Sequence, residues 1–278
     1  MSNYDRFAEV YDRLMEDADY KTRTDYLLSL FEKHDRRPAL LLDLACGTGG
    51  FSNEFAKRGI DVIGVDISEE MLASARQNSA ECKTDVLYLC QPAEELDLYG
   101  TVDAAICCLD SLNYLTRPAD VQRTFRRLHL FIAPGGLLVF DINTVAKLAA
   151  LDGQVFLDET EDTYCVWRTE YRRGLCTYYV DLFRQQGDGA WDRELEIHRQ
   201  RAYTVEELTG WLKAAGFTDI RTCGDMVRRS PREGEQRIYF TAIRKVLAES
   251  PAKAEAEGKA AEARAEAEFA ADAEMETL

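Results

Sequence analysis

Two carboxylates in the first quarter of the chain have the type and spacing of ligand-binding groups. Asp43 stands in the run LLLDLACGTGG at residues 40–50, where Ala45, Cys46, Gly47, Gly49 and Gly50 form a turn of small residues. Such a turn lets the backbone approach a ligand without side chains intervening. An acid at the end of the strand repels a pyrophosphate and attracts an ammonium group. The spacing Asp43-x-Ala45-x-Gly47-x-Gly49 also departs from the G-x-G-x-x-G turn of dinucleotide-binding proteins. Asp66 closes a second apolar run, DVIGV at residues 61–65, at the distance from the turn where a carboxylate accepts from both hydroxyls of a ribose.

To hold these acids side by side, the chain needs parallel strands joined through helices. Short apolar runs alternate with amphipathic segments accordingly. The pattern predicts helices over 21–33, 50–57, 68–78 and 118–131, and strands over 39–44, 61–65, 86–90, 102–107 and 136–141. Ser68 is the expected N-cap of its helix. The rhythm then changes: residues 154–201 read as three or four long antiparallel strands, with turns at Arg173-Gly174 and at Gly187-Asp188-Gly189. A helix over 204–215 and strands near 218–223 and over 237–243 complete the sheet.

Three segments together, DLACGTGG at 43–50, VDIS at 65–68 followed by Met71-Leu72, and APGGLLVFDI at 133–142, resemble the motifs of class I S-adenosylmethionine-dependent methyltransferases. The resemblance spans residues 4–244. It implies a doubly wound, mostly parallel seven-stranded α/β sheet. The antiparallel insert resembles that of small-molecule N-methyltransferases acting on glycine or amino sugars, where it covers the active site or forms a dimer contact. The implied cofactor is S-adenosylmethionine, and the implied reaction is methyl transfer to nitrogen or oxygen of a small molecule.

The resemblance assigns the methionine part of the cofactor to Asp43, the turn residues, Tyr11, Arg23, Cys108 and Leu109. It assigns the ribose to Asp66, and the adenine to Ile67, Met71, Gln91, Pro92 and Ala93. Pro92 departs from the family, in which an aspartate often accepts from the adenine amino group; Gln91 is the expected substitute. Ligands in open parallel sheets collect beyond the strands' carboxyl ends, which directs attention to residues 107–114. Asp110, Asn113 and Tyr114 are the acceptor-side candidates; Asn113 stands where several amino-sugar enzymes carry a histidine base, against the alternative that it ties the loop to backbone, and Asp110 has the alternative of capping that loop. His198, in the last strand of the insert, is the candidate base from above, against the alternative of a histidine bonded to a neighbour. No pair of histidines has metal-ligand spacing, so no metal is expected.

The 278 residues suffice for one catalytic domain, expected over 1–247, with residues 248–278 as an acidic Ala/Glu-rich tail, solvated or partly helical. The formal charge of −16 and the lack of a long basic run argue against a nucleic-acid partner. Eight cysteines without a C-x-x-C pair, no signal-peptide pattern and no apolar span long enough for a membrane lead to the expectation of a soluble, cytoplasmic protein with reduced thiols. An exposed antiparallel sheet offers a surface through which two chains could pair. An RNA methyltransferase and a noncatalytic cofactor-binding module are the competing readings. A nicotinamide-dependent oxidoreductase is disfavoured by Asp43 and the glycine spacing.

Overall fold

The structure, a computed structural model, describes residues 19–34, 37–159 and 163–245. Tyr11, the expected tail and the expected boundary at 247/248 lie outside them. β1 (Leu40–Leu44) is flanked by β2 (Asp61–Asp66) and β4 (Val102–Cys107), both parallel to it. With β3 (Val86–Cys90), β5 (Ile132–Asn143), β10 (Phe217–Gly224) and β11 (Arg237–Arg244), they form a seven-stranded sheet of order β10-β11-β5-β4-β1-β2-β3. Only β11 runs against its neighbours, pairing antiparallel with both β5 and β10.

Side chains on these central strands alternate between two apolar layers. Leu42 and Leu44 of β1, with Ala105 and Cys107 of β4, pack beneath α4 (Pro118–Phe131) and α6 (Val205–Ala215). Leu41, Ala104, Ile106 and Cys108 face α1 (Tyr20–Lys33) and α2 (Gly50–Ala56) on the opposite side. Each fully buried Leu in these layers contributes roughly 1.5–3 kcal/mol. α3 (Glu69–Cys82) opens on Ser68, whose hydroxyl accepts from the Met71 N–H. Its Leu72 and Ala75 pack on Tyr88 of β3.

The insert is a four-stranded antiparallel sheet of order β6-β7-β8-β9: β6 (Val155–Glu159), β7 (Thr163–Arg172), β8 (Leu175–Gln185) and β9 (Trp191–Arg201). Register places Phe156, Trp167, Val180 and Glu196 in one row across the sheet, and Leu157, Val166, Asp181 and Leu195 in the next row, on the other face. The β7–β8 turn carries positive φ at both Arg173 (52°) and Gly174 (80°), the geometry of a two-residue hairpin. Strand β5 is longer than the sequence pattern suggests because it continues to Asn143 alongside β11. The short helix α5 (Val145–Ala150), capped by Thr144, has too few turns to show periodicity and was not anticipated.

Candidate active site

Beyond the carboxyl ends of β1, β2, β4 and β5 lies a cavity of about 880 Å³, partly covered from above by the insert. Its floor at β1 is Ala45 and Gly47 of the small-residue turn, whereas Gly49, also expected there, is not on the wall; all three adopt positive φ (59°, 54° and 80°). Gly49 and Gly50 are also constrained by space. A Cβ at Gly50 would sit 2.5 Å from the Tyr20 ring, and one at Gly49 would sit 2.3 Å from the Tyr88 hydroxyl oxygen.

Asp66 faces the cavity and is anchored by two backbone donors: Gly47 N–H to Oδ2 at 2.9 Å and Ser68 N–H to Oδ1 at 3.0 Å. Burial raises its pKa, opposed by the backbone N–H groups of Ser68, Gly47 and Ile67. A carboxylate has about four lone-pair sites. Both oxygens face the cavity side, where a vicinal diol can donate to them. Ile67, Met71, Ala45, Gly47, Gln91, Ala93 and Leu109 line the same space. These residues fit the adenosyl part of S-adenosylmethionine.

Other expected contacts are placed differently. Asp43 is out of phase with Leu42 and Leu44, so its carboxylate turns away from the cavity wall, where Ser52 Oγ donates to it at 2.6 Å. Cys108 is one residue out of phase with Cys107 and packs in the α1/α2 layer. Cys46 packs beside Tyr88 rather than on the wall. Arg23 donates to the Tyr239 hydroxyl at 3.1 Å and pairs with Asp225 at 3.7 Å, tying α1 to the β10–β11 edge. Pro92 stands at the head of a 3₁₀ turn (Ala93–Glu95) and is not on the wall, whereas Glu94, missed from sequence, is. Gln91 does line the cavity, but its carboxamide is bonded at both ends to the Asp97 backbone, at 2.9 and 3.1 Å.

Burial in the apolar layer pushes the Asp43 carboxyl up to about 7, with the Ser52 hydroxyl opposing it. The folded pKa therefore lies above the unfolded value of about 3.9. The stability associated with protonated Asp43 is fully present below pH 4 and is lost as pH rises through 7. Asp43→Asn should remove this dependence. In denaturant titrations at pH 4 and pH 8, the wild-type chain is expected to lose on the order of 4 kcal/mol relative to the variant.

At the β4–β5 side the candidates separate. The loop after β4 carries consecutive positive φ at Leu109 (54°) and Asp110 (53°), a costly conformation for residues other than glycine. Asp141, fully buried at the end of β5, holds it by accepting the Leu109 N–H at 2.9 Å and the Asp110 N–H at 2.7 Å. Arg237 bridges the Asp110 and Asp141 carboxylates. Burial raises the pKa of Asp141, and Arg237 opposes that rise.

Asn113 is not an acceptor-side residue but ties the loop to backbone, the second of its two expected roles. It is fully buried, and its Nδ2 donates to the carbonyls of Arg201 (2.8 Å) and Asn143 (3.2 Å), while its Oδ1 accepts the Asn143 N–H (3.0 Å). It splices the loop to β5 and β9, and its side chain does not reach the cavity wall.

Asp110, Tyr114 and His198 do line the cavity. The rings of Tyr114 and His198 meet edge to face, with centroids 6.4 Å apart. His198 Nε2 lies 3.0 Å from Glu196 Oε2, a pair that carries opposite charges only when the imidazole is protonated, and both side chains are nearly inaccessible. Gln200 connects roof to floor: its Nε2 donates to Asp110, and its Oε1 accepts from Tyr178 and Asn143 at 3.2 Å each. Phe156, Asp158, Trp167, Lys147 and Arg237 complete this half. None of these five was identified from sequence. Period-two alternation would have placed Glu196, His198 and Gln200 on one face of β9.

A family profile described as "Methyltransferase domain" matches residues 41–136. The methyltransferase-family protein YqeM of Bacillus subtilis is 35% identical over 86% of this chain and 96% of its own length. The glycine/sarcosine N-methyltransferase of Parasynechococcus marenigrum is 29% identical over 80% of this chain and 78% of its own. Among solved structures, an S-adenosylmethionine-dependent methyltransferase from Clostridium acetobutylicum superposes with a TM-score of 0.79 at 26% identity, covering 88% of this chain and all of that one. With the sheet order and the Asp66 site already established, the chain belongs to the class I S-adenosylmethionine-dependent methyltransferases.

Proposed function

We propose that the protein transfers a methyl group from S-adenosylmethionine to a nitrogen or oxygen of a small-molecule acceptor. The observation that carries this reading is the second half of the cavity, where Tyr114, Asp110, Tyr178 and His198 converge under the insert beside the Asp66 half. A space roofed by a four-stranded sheet suits a small acceptor. The relative named for glycine and sarcosine N-methylation supports the same class. The formal charge of −16 weighs against an RNA substrate.

When bound, the cofactor supplies a sulfonium-activated methyl group. The protein's task is to align an acceptor lone pair with that methyl and exclude water. The Gln200–Asp110–Arg237 network fixes the loop below the acceptor. His198 is positioned by Glu196 to take the acceptor's proton onto its imidazole, and the adjacent carboxylate stabilises the resulting cation. His198→Gln should lower turnover by about 100-fold with S-adenosylhomocysteine affinity unchanged. Steady-state rates with calorimetry of the same variant check this, and unaltered turnover would remove His198 from the proton path. Transfer of label from methyl-labelled S-adenosylmethionine into a fractionated metabolite pool tests the function itself. Label found only in RNA would contradict it.

The outer face of the insert exposes Val155, Leu157, Leu195 and Trp191 to solvent. We propose this face as the contact in a homodimer. Sedimentation should give a dimer for the wild-type chain and a monomer for Leu157→Lys/Leu195→Lys. No helix among the described residues is long and apolar enough to cross a membrane.

A further inference from the structure

Lys147 has a place in the cavity wall that the methyl-transfer chemistry does not explain. It projects from the first turn of α5, just beyond the end of β5, and its ammonium donates to Asn143 Oδ1 at 2.8 Å. That partner is a neutral amide. The three acids whose charge acts on it are committed elsewhere: Asp141 to Arg237 and two backbone N–H groups, Asp110 to Arg237 and Gln200, and Asp225 to Arg23. Among the described residues, no carboxylate stands within ion-pair distance of Lys147. An ammonium has three donors, so two remain beyond the one spent on Asn143. Burial lowers its pKa, a cost that an anionic partner would offset.

Position indicates which ligand such an anion belongs to. The ribose-type anchor Asp66 ends β2, whereas Lys147 follows β5, three strands away in the order β2-β1-β4-β5. At about 4.8 Å per strand, that separation is roughly 14 Å. Lys147 therefore stands on the acceptor side, beneath the aromatic roof of Phe156, Trp167 and Tyr178. Three aromatic side chains on one wall offer packing partners for a flat ring.

We propose that the acceptor is a planar, aromatic-type molecule carrying a carboxylate, that Lys147 binds the carboxylate, and that the roof packs on the ring. This rests on the methyltransferase reading of the same cavity and narrows it to a substrate class.

The test is calorimetry on the full chain saturated with S-adenosylhomocysteine, using benzoate and benzamide as probes of matched shape and different charge. Benzoate should bind at least about tenfold more tightly than benzamide, the effect of one charge-assisted contact. Lys147→Met should abolish that preference while leaving benzamide and S-adenosylhomocysteine binding unchanged, and Lys147→Arg should retain it. Equal binding of the two probes to the wild-type chain, or no saturable benzoate signal, would overturn the proposal without reference to any variant. A preference that survives in Lys147→Met would also overturn it. So would a tenfold loss of S-adenosylhomocysteine affinity in that variant, because it would place the cofactor's own carboxylate on Lys147. Failure of the wild-type chain to bind S-adenosylhomocysteine at all would instead count against the methyltransferase reading.

Discussion

Asp66→Ala is expected to weaken S-adenosylhomocysteine binding by at least about 100-fold. In the folded chain each Asp66 oxygen accepts a backbone N–H, from Gly47 and from Ser68, which fixes the carboxylate plane toward the cavity. Two hydrogen bonds from ribose hydroxyls to this charged group contribute about 1.5–3 kcal/mol each, so losing both costs two or more decades of affinity. The alanine variant also leaves the Gly47 and Ser68 N–H groups without their acceptor, loosening the turn that carries the positive-φ residues. Asp66→Asn separates the two contributions, because its amide keeps one acceptor oxygen and its shape. An intermediate loss is expected, read by calorimetry on all three chains. Unchanged affinity in Asp66→Ala would remove the ribose from this site.

The second large effect concerns folding. Arg237→Met should lower the free energy of unfolding by about 3–5 kcal/mol, because the Asp141 carboxylate is inaccessible to solvent and would lose its counter-charge. Asp110 would lose the same partner and, with it, part of the restraint on a loop held at positive φ. The deficit should depend on pH in a defined direction. Burial already raises the Asp141 pKa and Arg237 opposes that rise, so removing Arg237 raises it further. The variant's deficit is therefore largest above the raised pKa and shrinks as pH falls and Asp141 takes up a proton. Urea titrations of both chains at pH 5 and pH 8 measure this. An equal deficit at the two values would mean that lost packing, rather than lost charge compensation, dominates.

The parts of the site that were legible in the sequence are those built from consecutive residues. The small-residue turn, Asp66 at the end of the next strand, and the Ser68 cap each depend on local spacing, and local spacing is what a sequence displays. The antiparallel insert was legible for the same reason, since period-two alternation and two glycine turns mark its strands. The acceptor half is assembled across distance. Arg237 meets Asp141 from 96 residues away, and Asn113 meets Arg201 from 88. Nothing in either neighbourhood announces these pairings, so the sequence leaves Asn113 open between positioning an acceptor and tying the loop to backbone, and the fold makes it the tie. Asp43 misled for a different reason. The pleat puts neighbouring residues of a strand on opposite faces, and the acid that ends the apolar run points into the α1/α2 layer, away from the ligand side. Lys147 was invisible because its helix is a turn and a half long and begins directly where β5 ends.

The central claim is that the Asp66 half of the cavity is built for an adenosyl sulfonium cofactor and that the chain uses it. Calorimetric titration of the full chain with S-adenosylhomocysteine, with NAD as control, tests this most directly. Saturable 1:1 binding in the micromolar range for the first, and no heat from the second, is the expected result. Binding of NAD with no response to S-adenosylhomocysteine would contradict it.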